Sequence, residues 1–363
     1  MLGAPGRPDN GPDVPTTSRP RPDHLPPPSV DLRRAADAHA RPGTDHGAVI
    51  STSVVDPREE PGTYAYHRLQ RTRPGWWRPL LVGVVGVALY VVVLAVGAVL
   101  VLTAAAASGP GGLDALARVD VADLSDPLAF TLGMLTIIAM LPALLVATWL
   151  LGARPVGLIV SVTARPRWRW ALRCLAGSAA LAVLVQGADA LVAVVQGQPW
   201  QPRVDDHTWL LLGLVLLLVP AQCVAEEVVF RGYLVQAVGT WLRHPSWAVA
   251  LPVPLFVLGH TYVGLAMVDT AVWALAMGWL VWRTGGLEAA AAAHVVNNVV
   301  VFCLGAVGLA DLDVVDIGPV ALAVSVASTA AYVGLVEVLA RRQGVARVRV
   351  VPAPVGPVAS PLP

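Results

Sequence analysis

The chain contains no lysine and few charged residues of any kind. All 25 basic residues are arginine, and 13% of the 363 residues are charged, whereas a soluble domain carries about 25%. The three cysteines form no CxxC pair, and no HExxH motif occurs. Neither a disulfide framework nor a familiar zinc-protease helix is therefore indicated. The formal net charge of +1 gives no reason to expect a nucleic-acid partner.

Apolar residues make up 56% of the chain. They come in blocks of about 20, the length that a helix needs to cross the hydrocarbon core of a lipid bilayer. We therefore predict an all-α fold, a polytopic transmembrane helical bundle. Eight spans are predicted, although the fifth and sixth are short for a full crossing. They cover residues 79–105, 127–151, 170–195, 209–238, 247–262, 269–282, 286–306 and 318–339.

Two regions without periodic apolar residues flank these spans. Residues 1–75 are rich in Pro, Arg and Asp, which predicts a disordered cytoplasmic tail. Residues 343–363 predict a second, Pro-rich tail, and the transmembrane domain is expected over 76–342. No apolar run with a small-residue cleavage site lies near Met1, so no signal peptide is predicted.

Arginine and aspartate alternate between the loops that join the spans. Arginine precedes the first span, fills the second loop and follows the last span, and the alternate loops carry aspartate. By the positive-inside rule, this pattern predicts a multi-pass protein of the cell membrane with both termini in the cytoplasm.

The fourth span carries three charges. Glu226, Glu227 and Arg231 lie in an otherwise apolar run, where each charge costs about 2.5–3.5 kcal/mol on insertion scales. Glu227 and Arg231 are four residues apart and share a helix face, so an ion pair is expected. Glu226 points about 100° away and is predicted to be free as a base. If the helix instead ended just past the membrane, all three charges would be solvated.

Polar residues recur in the fifth and seventh spans. The fifth ends at His260, with Phe256 one turn earlier on the same face. In the seventh, His294 and Asn298 are four residues apart and share a face. Such residues often serve only to form hydrogen bonds between membrane helices. We prefer that structural role for Asn297, which points elsewhere.

A carboxylate, two imidazoles and an amide in one membrane cavity suit peptide hydrolysis. Glu226 can take a proton from water that His260 orients, while His294 and Asn298 stabilise the oxyanion. The set Glu226, His260 and His294 could instead hold a divalent metal such as Zn²⁺, although no motif requires one. A Cys223 nucleophile is disfavoured by the neighbouring carboxylates.

These motifs resemble the three-motif signature of the CPBP family. The family comprises CAAX prenyl endopeptidases and bacteriocin-processing or immunity proteins, also called Abi. The resemblance rests on Glu226-Glu227-x-x-x-Arg231, Phe256-x-x-x-His260 and His294-x-x-x-Asn298, and the catalytic core is expected over residues 209–305.

The resemblance implies an intramembrane endopeptidase with an eight-helix fold and a cavity open to the cytoplasm. Glu226 and His260 would activate water, His294 and Asn298 would form the oxyanion hole, and Glu227 and Arg231 would support them. The family has been described both as metalloproteases and as glutamic endopeptidases. The expected partners are a peptide or protein substrate, which can be membrane-associated, and the lipid bilayer. Because the composition resembles that of a bacterial protein, prenyl-protein processing is not the expected physiological role.

Two other classes of protein share some of these features. A transporter would use Asp189, Glu226, Glu227 and the histidines as an ion path, but no internal repeat of the kind that transporters show is apparent. A non-catalytic scaffold or bacteriocin-immunity factor could keep the same fold. It would tolerate replacement of Glu226, and a peptidase would not.

Overall fold

The computed structural model describes residues 50–51, 56, 58–197 and 201–353. Helices dominate these residues. In chain order, the α-helices are α1 (Arg78–Ala107), α2 (Gly112–Ala117), α3 (Pro127–Ile138), α4 (Met140–Leu151), α5 (Trp168–Val195), α6 (Thr208–Glu226), α7 (Val235–Trp241), α8 (Pro245–Ala250), α9 (Val253–Leu258), α10 (Gly264–Thr284), α11 (Glu288–Ala306) and α12 (Pro319–Gln343).

Within the described residues, seven helical stretches are long and apolar enough to cross a membrane. They are α1, α3 with α4, α5, α6 through α7, α10, α11 and α12. Their apolar side chains face outward along much of their length, as the exposed Val and Leu residues of α1 show. The predicted polytopic helical bundle is confirmed.

The predicted fifth span, residues 247–262, differs from a regular membrane helix. It forms α8 and α9, which have six residues each and are separated by a turn at Leu251 and Pro252. Proline has no backbone N–H to donate, so Pro252 interrupts the helical hydrogen bonding. The predicted sixth span, in contrast, is longer than expected, because α10 begins at Gly264 and has 21 residues.

The broken segment nevertheless connects opposite ends of the bundle. Before α8, the carbonyl of Arg243 accepts a hydrogen bond from His67, beside the start of α1. After α9, the N–H of Val263 donates to Val315 at 2.9 Å, in the loop between α11 and α12. Over the described residues, the chain therefore passes from one end to the other eight times, seven times as a long helix and once as this broken segment.

The two ends differ in charge as the loops predict. We call the end that contains residues 66–78, 151–168, 239–245, 284–288 and 343–351 the basic end, because most arginines of the loops lie there. The opposite end, with the aspartates of residues 114–126, 205–206 and 311–316, is the acidic end. Across the basic end, the guanidinium of Arg167 donates to the carbonyls of Thr284 and Ala346. At the acidic end, the N–H of Arg203 donates to the carbonyl of Val307.

Parts of the two predicted tails are ordered at the basic end. Strands β1 (Ile50–Ser51), β2 (Gly62–Ala65) and β3 (Val348–Val351) form a sheet in the order β1-β3-β2, with β1 parallel and β2 antiparallel to β3. A 3₁₀ helix follows β2 over Tyr66–Thr72, with Tyr66 and Leu69 fully buried. The buried guanidinium of Arg349 pairs with the Glu59 carboxylate at 2.5 Å.

The structure therefore differs from the predicted tail boundaries. An ordered cap is formed by residues 58–75 and 348–353, because their few apolar and charged side chains contact residues that are distant in the sequence. Residues 1–49 and 354–363 lie outside the described residues, and disorder there stays a prediction.

Candidate functional site

The fourth crossing is a continuous helix that changes its winding at the polar residues. Helix α6 runs into a π-helical segment, Glu227–Leu234, which continues as α7. Wider π turns of this kind occur frequently at functional sites, because they change the direction of the side chains they carry. Gly232 allows a close approach here, since a Cβ at this position would lie 3.1 Å from the carbonyl oxygen of Ile159. Pro220 lies within α6, and the helix continues through it.

A buried ion pair forms in the π segment. The Arg231 guanidinium donates to Glu227 Oε1 at 3.0 Å, and both side chains are almost fully buried. The guanidinium also lies over the Phe256 ring, 3.9 Å from its centroid, and 5.1 Å from the Trp273 ring. Aromatic faces attract a desolvated cation, so α9 and α10 contribute to holding this charge in the membrane interior.

His294 connects the two glutamates. Its Nδ1 donates to Glu227 Oε1 at 3.0 Å, and its Nε2 lies 3.4 Å from Glu226 Oε2. Because a carboxylate can only accept, Nδ1 carries the proton of this hydrogen bond, and Nε2 is the nitrogen that faces Glu226. The buried Oε2 of Glu226 has no hydrogen-bond partner among the described residues. It is therefore available to accept a proton.

A second polar pair lies one helical turn away. Asn298 Nδ2 donates to the buried Gln222 Oε1 at 3.4 Å, and Asn297 Nδ2 donates to Asn298 Oδ1 at 3.1 Å. Helices α6 and α11 run antiparallel, because the start of α6 meets the end of α11 at the acidic end. Gln222 and Glu226, four residues apart on α6, thus face Asn298 and His294, four residues apart on α11.

His260 joins this cluster through aromatic contacts. Its ring centroid lies 4.6 Å from that of Phe256, which in turn lies 6.4 Å from His294. Nδ1 of His260 donates to the Phe256 carbonyl at 2.8 Å. In the neutral ring, Nε2 is consequently left as an acceptor. Among the described residues, no hydrogen bond joins His260 directly to Glu226.

The structure thus brings four of the predicted site residues into one connected cluster: Glu226, Glu227, Arg231 and His294. His260 and Asn298 are its neighbours through Phe256 and Gln222. The role of Gln222 was missed from the sequence. Its spacing of four residues before Glu226, in an apolar span, was the available signal. Cys223 is buried and donates to Gln222 Oε1 at 3.3 Å.

The side chains named as a possible zinc set do not form one. In the described part of the chain, no three His, Cys, Asp or Glu side chains gather closely enough to hold a metal ion. Nδ1 of His294 is committed to Glu227, and Nδ1 of His260 to a carbonyl. What the cluster offers is an unpaired carboxylate oxygen beside an imidazole nitrogen, with a carboxamide one turn away. That combination can accept a proton and stabilise a negative oxygen.

Comparison with known proteins agrees with the resemblance seen in the motifs. Residues 208–300 match the family described as type II CAAX prenyl endopeptidase Rce1-like. This segment includes the π segment and most of α11, and the predicted family resemblance is confirmed for it. The uncharacterized protein YyaK of Bacillus subtilis (strain 168) is 30% identical over 189 residues. That alignment covers 49% of this chain and 62% of the relative. No solved structure matches the chain. Together with the seven apolar helices, the match supports a multi-pass membrane protein that is similar to CAAX proteases.

Proposed function

We propose that this protein is an intramembrane endopeptidase in which Glu226 activates water. The proposal rests mainly on one observation. The buried Oε2 of Glu226 has no hydrogen-bond partner among the described residues and lies 3.4 Å from His294 Nε2, in a cluster where Glu227 Oε2 and Arg231 Nη2 also have none. Buried carboxylate oxygens without partners are costly, and ionisable residues inside membrane helices typically mark functional sites.

In the proposed reaction, the oxygen of water attacks the carbonyl carbon of a peptide bond while Glu226 takes the proton of that water. The free Nε2 of His260 orients the water by accepting its second hydrogen. The carbonyl oxygen becomes an oxyanion, which the carboxamide N–H of Asn298 stabilises together with the Nε2–H of His294 in its doubly protonated form, since neutral His294 has its one N–H on Nδ1. When the C–N bond breaks, the proton held by Glu226 passes to the leaving nitrogen. The products are a carboxylic acid and an amine.

The ion pair has a positioning role in this scheme. Glu227 holds His294 through Nδ1, so that Nε2 is the nitrogen presented to the reacting atoms. Arg231 compensates the charge of Glu227 and is itself held by Phe256 and Trp273. Because the candidate zinc donors do not converge, no step of the proposal uses a metal.

The expected substrate is a peptide or protein at the membrane. The family match makes a CAAX-like carboxyl-terminal segment the first candidate, and prenylation is not required by any residue of the site. We further propose that the basic end lies in the cytoplasm, in line with the positive-inside rule. Both termini would then lie on the cytoplasmic face of the cell membrane.

Proteolysis of a diverse peptide library by the purified full-length protein in detergent tests the proposal. Wild-type protein is expected to cleave, and Glu226→Gln is expected to lose nearly all activity. Asp189→Asn is the matched control, since Asp189 is an exposed membrane carboxylate of α5 outside the cluster. It should cleave like the wild type. A chelator arm is included, and cleavage is expected to survive it.

Each other outcome rejects part of the scheme. Cleavage that survives Glu226→Gln would show that Glu226 is not the base. Loss of cleavage with the chelator would replace the carboxylate mechanism with a metal one. If folded wild-type protein cleaves nothing, the result supports the hypothesis of a non-catalytic scaffold or immunity factor. That hypothesis predicts that the Glu226→Gln variant retains the protein's cellular function.

A further inference from the structure

A broad groove at the basic end lies away from the candidate active site. It has a volume of about 770 Å³ and lies between the start of α5 and the end of α12. Its walls are residues 163, 165–170 and 173 on one side and residues 343–346 on the other. The ends of two membrane helices meet here, so the groove is at the depth where lipid headgroups lie.

The charge of the groove is positive and largely uncompensated. Arg165, Arg169 and Arg173 are exposed along it, and Arg173 donates to the neutral side chain of Gln343. Among the described residues that line the groove, none is acidic. These three side chains therefore present positive charge that the lining itself does not neutralise.

Arg167, in contrast, builds the back wall. Its guanidinium binds both carboxylate oxygens of Glu288, at 2.8 and 2.6 Å, and donates to the carbonyls of Thr284 and Ala346. The pair is neutral overall and ties α5, α11 and the segment after α12 together. These contacts therefore hold the groove in shape, and it is not merely a gap between two unconnected helix ends.

Backbone N–H groups and the Trp170 indole N–H at the start of α5 favour an anionic oxygen as the ligand. The side chain of the N-cap, Arg167, makes no cap hydrogen bond; its backbone N–H donates to Glu288 Oε1 at 2.9 Å, and the N–H groups that follow lack an intrahelical acceptor. Such helix starts attract phosphate. Independently, Trp170 is buried in the lining, and its indole N–H has no partner among the described residues. A buried donor of this kind is costly unless something accepts from it.

The surroundings of the groove favour a lipid over a soluble anion. Trp168, at its rim, is 70% exposed, and Leu172, one turn further into the membrane, is 62% exposed. Tryptophan is enriched at the level of headgroups, and an exposed leucine below it can contact acyl chains. A phosphate held by the arginines would thus have its chains alongside α5.

We propose that this groove binds the headgroup of an anionic phospholipid, with the phosphate held by Arg165, Arg169 and Arg173. Basic pockets between membrane helices recognise acidic lipids in this way. The site is separate from the peptidase cluster and does not depend on the proposed activity.

Native mass spectrometry of the full-length protein in neutral detergent tests the site. The protein is titrated with phosphatidylglycerol and, separately, with phosphatidylcholine of the same chains. We expect bound phosphatidylglycerol to exceed phosphatidylcholine, and the triple variant Arg165→Gln, Arg169→Gln and Arg173→Gln to weaken phosphatidylglycerol binding by about tenfold or more. Trp170→Phe, which removes the indole N–H together with the five-membered part of the ring, should weaken phosphatidylglycerol binding by a few-fold and, because the side chain is buried, also lower the melting temperature.

A matched triple variant controls for general attraction to the basic end. Arg58→Gln, Arg71→Gln and Arg243→Gln remove three exposed arginines of the same end that do not line the groove. This variant should keep phosphatidylglycerol binding within about twofold of wild type. Equal losses in the two triples would overturn the proposal. So would displacement of the lipid by inorganic phosphate at equal concentration, which would assign the groove to a free anion.

Discussion

Removal of Arg231 offers the sharpest test of how the site is held together. Glu227 and Arg231 have side chains that are only 1% and 4% exposed, and their ion pair spans 3.0 Å. Arg231→Met leaves the Glu227 charge buried with His294 as its remaining partner. Breaking a buried pair in this way costs about 3–5 kcal/mol of folding free energy. Loss of the contact with the Phe256 ring adds up to about 2 kcal/mol.

The double variant separates lost attraction from unpaired charge. In Glu227→Gln with Arg231→Met, no unpaired charge is left at these two positions, and the amide oxygen can still accept from His294. We expect its free energy of unfolding to return to within about 2 kcal/mol of wild type, because neutral replacements of buried pairs are often tolerated. The single variant should therefore be less stable than the double variant.

A surface ion pair in the same protein provides the control. Arg341 and Glu337 are also four residues apart and lie 2.6 Å from each other, but the Arg341 side chain is 70% exposed. Arg341→Met should cost less than about 1 kcal/mol. The assay is unfolding of the purified protein by titration of its micelles with a denaturing detergent. If Arg231→Met costs no more than Arg341→Met, or if the double variant is no more stable than the single one, the reasoning is refuted.

Three further predictions concern other parts of the structure. Gln222→Leu removes the acceptor that orients Asn298 and should lower kcat about tenfold with little change in KM, less than loss of an oxyanion donor itself. Burial lowers the pKa of His67, so the unfolded state takes up a proton that the folded state resists. Stability should fall as pH drops below about 6.5, and His67→Gln should flatten the melting temperature between about pH 7.5 and 5.5. Gly239→Ala should destabilise strongly, because its Cβ would lie 1.7 Å from the His67 carbonyl oxygen.

Each of these has an outcome that would contradict it. An unchanged kcat in Gln222→Leu would show that Asn298 does not need this contact. A pH dependence that persists in His67→Gln would place the titrating group elsewhere. For the glycine, Gly213→Ala is the control, since nothing lies within 4 Å of a Cβ there. It should be neutral or stabilising by up to about 1 kcal/mol. Equal melting temperatures for the two alanine variants would contradict the predicted clash.

The sequence alone was sufficient for several features that depend on local spacing. Blocks of about 20 apolar residues predict membrane helices, and loop charges predict which ends share a side. The spacing of four residues predicts that Glu227 meets Arg231, because helix geometry places such residues on one face. These properties follow from a few consecutive turns of chain, whatever surrounds them.

Features that depend on distant partners were decided by the tertiary structure. The antiparallel packing of α6 on α11 selects Gln222 as the partner of Asn298 and places His294 between the two glutamates. No local sequence pattern specifies how far one helix is shifted along its neighbour, because the packing of many side chains determines that shift. The ordered cap has the same origin, since Glu59 finds Arg349 across 290 residues. These polar segments fold into an ordered cap because each contains a buried residue whose partner lies in the other segment, far away in the sequence.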